Sequence, residues 1–231
     1  MRWHTRGGVP HGGRPAPARG RDQDRDVTTR ILEWECGTEP LGRVVVALGV
    51  FDGVHLGHQA LVRDSIALAA ERGVQCAVLT FDRDPDQVVS PDTAMPQLLT
   101  LDEKLAYLSE VGPDVVVVVG FCRHIADTAP DRFVTDVLMD ACAPVEVVVG
   151  RDFRYGRHAS GGVRSLAESG ETHGFGVVAH ELIEVGGAPV TSTRIRGLVA
   201  AGEVEEAAEL LGRYHRVRGS VWRGRGMGAE L

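Results

Sequence analysis

VVVALGVFDGVHLGHQ, residues 44–59, decides how the rest of this chain is read. Residues 44–50 form an unbroken apolar run that stops at glycine, the pattern of a strand buried on both faces of a parallel sheet. The chain then turns, and a helix is expected to begin near Gly57. The unpaired N–H groups and positive dipole end of that helix would face the carboxyl edge of the sheet, where phosphate is favourably held. His55 and His58 stand at this mouth. Two imidazoles beside exposed amides suit a site that grips a polyphosphate and stabilises the charge developing during transfer. Gly53 and Gly57 let backbone and ligand approach closely.

Outward from this stretch, apolar runs alternate with helical patterns. Strands are expected at 44–50, 75–81, 114–120, 145–150 and 174–180, and helices at 57–72, 100–111, 129–142 and 162–172. Thr100 followed by Glu103 reads as a capping box. Alternation of this kind is the signature of successive βαβ units. The fold class is therefore α/β, a Rossmann-like doubly wound parallel sheet of about five strands with ligands at the carboxyl ends of the strands. Two short helices, 193–201 and 203–211, are broken by Gly202. Residues 213–222 then turn β-rich.

Two further segments carry chemistry. GRDFRYGRHASGG, 150–162, follows an apolar strand. Asp152 can accept hydrogen bonds from ribose or amide groups, and Arg154 and Arg157 offer planar forks suited to phosphate. VTSTRIR, 190–196, follows a Gly-Gly turn at a helix start, where Ser192 or Thr193 can cap the helix. Cations at a helix start oppose its dipole, so Arg194 and Arg196 gain most with a phosphate between them.

Composition narrows the classes. The chain has 231 residues, 43% hydrophobic and 25% charged, which describes a folded globular protein rather than a disordered or fibrous one. A formal charge of −7 with 5% aromatic residues argues against general nucleic-acid binding. Cys36, Cys76, Cys122 and Cys142 show no zinc-like spacing and read as free thiols in a reducing cytosol, with Cys76 and Cys142 in apolar, core-like contexts. No apolar run reaches the roughly 18 residues of a membrane span, and the amino terminus lacks an apolar signal core. A cytoplasmic protein is expected. Residues 1–30, rich in Arg, Gly and Pro without apolar periodicity, read as a mobile tail.

The segment 44–59 resembles the HxGH signature of the nucleotidyltransferase superfamily, and GVFDGVHLGHQ is closest to the FMN adenylyltransferase (FAD synthetase) module of bacterial bifunctional riboflavin kinases. GRDFRYG resembles the family's GxDFxFG motif, with Tyr155 in the phenylalanine place. TSTRIR resembles its SSTxIR motif, with Thr191 for the first serine. The resemblance runs from Val44 to Arg213 and implies transfer of AMP from ATP to FMN, giving FAD and pyrophosphate, with magnesium. On that reading His55, His58 and Arg196 are catalytic. Gly49, Phe51, Asp52, Gly53, His55, His58, Gly150, Asp152, Ser192, Thr193 and Arg196 hold the nucleotide.

The family's PHP-like turn after the second strand is replaced here by Arg83, Asp84 and Pro85. These three, with Asp152 and Tyr155, are the flavin-side candidates. A carboxylate at Asp84 repels an incoming phosphate unless Arg83 compensates or the loop faces solvent. The domain reading is a tail at 1–30, a nucleotidyltransferase domain at 31–212, and the start of a riboflavin-kinase-like barrel at 213–231, supplying only its first strand. Kinase activity is accordingly expected to be absent. A noncatalytic flavin or nucleotide-binding module, and a transferase for another small phosphate acceptor, remain alternative functions. Metal ligands and oligomeric state stay open.

Overall fold

The structure is a computed structural model that describes residues 28–37 and 39–219. In chain order it contains β1 (Arg30–Trp34), β2 (Arg43–Leu48), α1 (Leu56–Arg72), β3 (Gln75–Phe81), α2 (Asp86–Val89), α3 (Leu101–Val111) and β4 (Val115–Val119). Next come α4 (Arg123–Ala126), α5 (Pro130–Phe133), a π-helical turn (Val134–Leu138), α6 (Met139–Ala141) and β5 (Ala143–Gly150). The remainder comprises β6 (Arg154–Tyr155), β7 (Gly161–Gly162), α7 (Val163–His173), β8 (Gly176–His180), β9 (Glu184–Val185), β10 (Ala188–Pro189), α8 (Ser192–Ala201) and α9 (Val204–Leu211).

Six strands form one parallel sheet in the order β1-β4-β3-β2-β5-β8. The sixth strand, beyond the five expected from sequence, is β1. RILEW mixes polar and apolar residues and is only half-buried, as befits an edge strand, so it lacks the continuous apolar run that marks the central strands. Arg30, the last residue assigned to the tail, opens this strand. The rest of the expected tail, 1–27, lies outside the described residues. At the other end, residues 213–219 form no strand, and the remainder of the expected β-rich segment lies outside the described residues.

Side chains of β2 alternate between two cores. Val44, Val46 and Leu48 pack with Phe133, Leu138 and Leu166 on one face. Val45 and Ala47 pack with Val62, Leu108 and Leu210 on the other. The strand period of two thus serves a helical layer on each side. Cys76 and Cys142 are buried in these cores, which pushes each thiol up to about 12. All four cysteines are free. Thr100 and Glu103 close the expected capping box of α3.

Chain order reverses at β2, with β3 and β4 to one side and β5 and β8 to the other. Loops leaving the carboxyl ends of β2 and β5 therefore diverge to opposite faces and leave a crevice between them. The most informative sequence segments, 49–59 and 150–162, are those two loops.

Candidate active site

The β2–α1 loop is strained where it turns. Phe51 has φ 56° and Val54 has φ 38°, and a β-branched residue rarely adopts a positive φ. Gly53, at φ 83°, must stay without a side chain because a Cβ there would lie 2.8 Å from Leu98 Cδ1. Asp52, only 3% exposed, holds the turn from inside. Both its carboxylate oxygens accept the Leu98 N–H at 3.1 Å, one also accepts the Leu99 N–H at 3.3 Å, and Arg196 donates to it at 2.7 Å.

Past the turn, His55 caps α1, its Nδ1 accepting the N–H of His58 at 3.3 Å. With Nδ1 engaged as acceptor, a neutral His55 carries its proton on Nε2. The two imidazoles stack with centroids 3.6 Å apart and planes at 17°, and Phe51 meets His58 edge-on at 5.2 Å. Burial, then Arg213, pushes His55 down to about 4. Burial, with smaller contributions from His55 and Lys104, pulls His58 well below the usual imidazole range. Two charges at the stacking distance would repel by about 5 kcal/mol at an effective dielectric near 20, so the pair works as neutral N–H donors. His58 Nδ1 is buried with no hydrogen-bond partner among the described residues.

Linkage follows from the His55 shift. Below pH 6.5 the unfolded chain takes up a proton that the folded ring refuses until about pH 4. The unfolded state therefore binds more protons across that window, and stability falls as pH is lowered through it. Replacing His55 by Asn keeps a capping acceptor and removes the ring. Urea unfolding at pH 7 and pH 4.5 is expected to show the stability gap narrowing by about 2 to 3 kcal/mol in that variant. An equal gap in both proteins would contradict a neutral buried His55.

A cavity of about 280 Å³ opens over these rings. Its walls include Gly49, Phe51, His55, Gly57 and His58 after β2, Gly150 and Asp152 after β5, and Thr191, Ser192 and Thr193 at the start of α8. Two helix N-termini, those of α1 and α8, thus converge on one crevice at the switch point of the sheet. The cap of α8 is Thr191, which accepts the Arg194 N–H at 3.2 Å. This corrects the expectation of Ser192 or Thr193 in that role. The Ser192 hydroxyl donates instead to the Asp52 carbonyl at 2.8 Å, tying α8 to the β2–α1 loop.

Three expected nucleotide residues, Asp52, Gly53 and Arg196, lie outside the cavity wall. Nor do Arg194 and Arg196 hold a space for phosphate between them. Arg194 donates to the carbonyls of Val185, Ala188 and Pro189 and docks the β9–β10 hairpin. Arg196 bridges Asp52 and Asp84 at 2.7 and 2.9 Å. This is also how Asp84 is neutralised. Arg83, expected to compensate it, pairs with Asp82 at 2.7 Å.

A second cavity of about 400 Å³ adjoins the first, sharing Val50 and Phe153. It gathers Phe81, Phe121, Phe133, Phe153 and Tyr155 with the guanidinium groups of Arg123, Arg154 and Arg157. Low average aromatic content therefore hid a local concentration. Of the flavin-side candidates, Pro85 and Tyr155 line this cavity, whereas Arg83 and Asp84 do not, and Asp152 lines the first cavity. Gly156, at φ 71°, turns the loop 150–162 around Pro130 with no room for a Cβ, which would lie 2.9 Å from that proline.

Lys104 escaped the sequence reading. It is 3% exposed on α3 and donates to the carbonyls of Val50 at 3.2 Å and Phe81 at 2.6 Å, holding the ends of β2 and β3. Burial lowers it to about 8 against the opposing pull of Asp52, Asp84 and Asp82. A lysine within a helical pattern ordinarily reads as a solvated residue, so nothing local distinguished it.

Comparison with known proteins adds an independent line. The FAD synthetase family model matches residues 38–194. A bifunctional riboflavin kinase/FMN adenylyltransferase of Listeria monocytogenes is 36% identical over 181 residues, covering 78% of this chain and 57% of that protein. Its namesake in Escherichia coli K12 is 33% identical over 187 residues, covering 81% and 60%. The chain thus spans less than two thirds of the length of these relatives. A solved structure described as a macrolide-efflux protein from Streptococcus pneumoniae aligns with a TM-score of 0.69 at 25% identity, over 80% of this chain and 71% of that one. Among the described residues no helix is long and apolar enough to cross a membrane.

Proposed function

The chain belongs to the FAD synthetase family, and from that premise we propose that it transfers AMP from ATP to FMN, releasing FAD and pyrophosphate. The observation that carries this reading is the crevice where α1 and α8 both present their N-termini beside the stacked histidines, next to a second, aromatic cavity. The first cavity takes the nucleotide. Its helix-terminal N–H groups and the imidazole N–H donors face the triphosphate, and Asp152 meets ribose or amide groups. The second cavity takes the flavin, with aromatic walls for the ring system and three arginines for its phosphate.

Chemistry of this type needs no covalent enzyme intermediate. An FMN phosphate oxygen attacks the α-phosphorus of ATP in line, and pyrophosphate leaves. The two cavities share Val50 and Phe153, so reactants held in them would meet at that common wall. Arg196 acts at a distance from the phosphates in this scheme: by bridging Asp52 and Asp84 it locks the nucleotide loop to the flavin-side loop.

A magnesium ion held with the triphosphate would supply charge neutralisation on its oxygens. No group of three or more His, Cys, Asp or Glu side chains that could hold a metal occurs among the described residues. Asp152 and Glu181 are the two carboxylates on the wall of the nucleotide cavity, and either could join substrate phosphates and water in holding the ion. The domain reading at 31–212 fits the same proposal.

Purified protein supplied with FMN, ATP and magnesium is expected to release FAD and pyrophosphate in equal amounts. Pyrophosphate released with a different phosphate acceptor and not with FMN would move the assignment to another transferase. Binding of ATP or FAD with turnover at background would leave a binding module.

A further inference from the structure

The chain beyond α9 folds back onto the nucleotide loop. The Arg213 guanidinium donates to the carbonyls of Gly53 and Val54 in that loop and to the carbonyl of Leu211 at the end of α9. Its face lies 3.8 Å over the ring of Tyr107 on α3. Gln59 of α1 donates to two of the same carbonyls, Val54 at 3.0 Å and Leu211 at 3.1 Å. Five residues on, Arg218 pairs with Glu103 at 3.1 Å, so this segment runs along α3 as a strap.

The strap closes over strained backbone. Phe51 and Val54 sit at positive φ immediately before His55, and conformations of that kind persist only where the surroundings over-determine them. From inside the protein, Asp52 fixes the loop. From outside, Arg213 fixes the two carbonyls that would swing if Val54 relaxed. A guanidinium is suited to this because its planar fork reaches several acceptors at once while stacking on an aromatic ring. Arg213 lies outside the span matched by the family model, and none of the three sequence motifs contains it.

We propose that Arg213 is a positioning residue of the nucleotide cavity, and that through it the segment following α9 sets the affinity of that cavity for ATP. The substrate named here rests on the adenylyl-transfer reading. Arg213 does not itself line the cavity. It acts through the carbonyls of Gly53 and Val54 on the placement of His55 and His58, and coupling of this kind between a remote element and a binding site is worth about 5- to 150-fold in affinity.

The test compares the full chain with its Arg213→Ala, Arg213→Lys and Arg218→Ala variants, reading equilibrium ATP binding by calorimetry in magnesium and the KM values for ATP and FMN. Arg213→Ala is expected to weaken ATP binding by about 5- to 150-fold with the KM for FMN unchanged, and millimolar guanidinium ion should restore part of the loss. Arg213→Lys keeps the charge and loses the fork, and should fall between Ala and wild type. Should the alanine variant fail to fold, the lysine variant carries the test. Arg218→Ala, which loosens only the far end of the strap at an exposed pair, should weaken ATP binding less than Arg213→Lys does, and a larger loss than in Arg213→Ala overturns the role of Arg213.

Wild-type ATP affinity in Arg213→Lys and Arg213→Ala overturns the proposal. So does an equal loss for ATP and FMN that guanidinium does not rescue, since that is the mark of general destabilisation. A wild-type protein that binds ATP and makes no FAD refutes the transfer reading while leaving the binding comparison to decide the role of Arg213. One that binds no ATP refutes both.

Discussion

Replacing His58 by Ala is expected to lower the rate of pyrophosphate release by about 10²- to 10³-fold while the protein stays folded, the loss associated with removing one pre-placed donor from a developing oxyanion. The cap of α1 survives this change because His58 contributes only its backbone N–H to His55 Nδ1. Alanine is also the better helix former. What disappears is the ring that stacks on His55, meets Phe51 edge-on and belongs to the cavity wall. The KM for FMN should barely move, since the aromatic cavity does not include His58. Steady-state kinetics with a thermal melt as control decides the matter. A rate within threefold of wild type at an unchanged melting temperature would remove His58 from the phosphate site.

The largest effect on stability is expected at Asp52. Replacing it by Ala leaves the N–H groups of Leu98 and Leu99 without their acceptor and strips Arg196 of one of its two carboxylates, in a place where the Arg196 side chain is only 12% exposed. Breaking a buried pair by removing one partner costs about 3 to 5 kcal/mol. For a chain of this size that corresponds to a fall in melting temperature of roughly 6 to 20 °C. Asp52→Asn keeps an acceptor for the two amides and should lose about half as much, because Asp84 still neutralises Arg196. Calorimetric melting of the three proteins tests this. A drop below about 3 °C for Asp52→Ala would show that the loop is held by something else.

Reading by pattern succeeded where a residue's job depends on its immediate neighbours. β3 begins and ends at the residues expected, and α1, α3 and α7 fall within a residue or two, because apolar periodicity, Gly caps and a capping box are local signals. The expected helix at 129–142 is real, although its middle turn is π-wound. Edge strand β1 went unread because half-burial does not require a continuous apolar run. Of the expected nucleotide residues, those placed by strand ends and helix starts, such as Gly49, Gly150, His55, His58, Ser192 and Thr193, do line one cavity.

Charge partners were a different matter. Asp52, Asp84, Arg83, Arg194 and Arg196 were all plausible ligand contacts in sequence, yet Arg83 pairs with its neighbour Asp82, Arg194 docks a nearby hairpin, and Asp52, Asp84 and Arg196 engage one another across distant loops. Arg196 meets Asp52 across 144 positions and Asp84 across 112, and Arg213 reaches Gly53 across 160. A carboxylate or guanidinium announces only that it needs a partner. Which partner it finds depends on how the sheet brings distant loops together, and burial then makes that choice binding because an unpaired charge in the interior is too costly.

By itself, the sequence determined the α/β architecture and the two loops that meet at the switch point, and it supplied the reason to propose a phosphate ligand there, since backbone amides at helix starts favour phosphate. Only the tertiary structure decided which polar side chains face that ligand and which brace the loops behind it. The reason is physical: hydrophobic period and turn chemistry act over a few residues, whereas hydrogen bonds and ion pairs are settled between segments that only the completed fold brings within 3 Å.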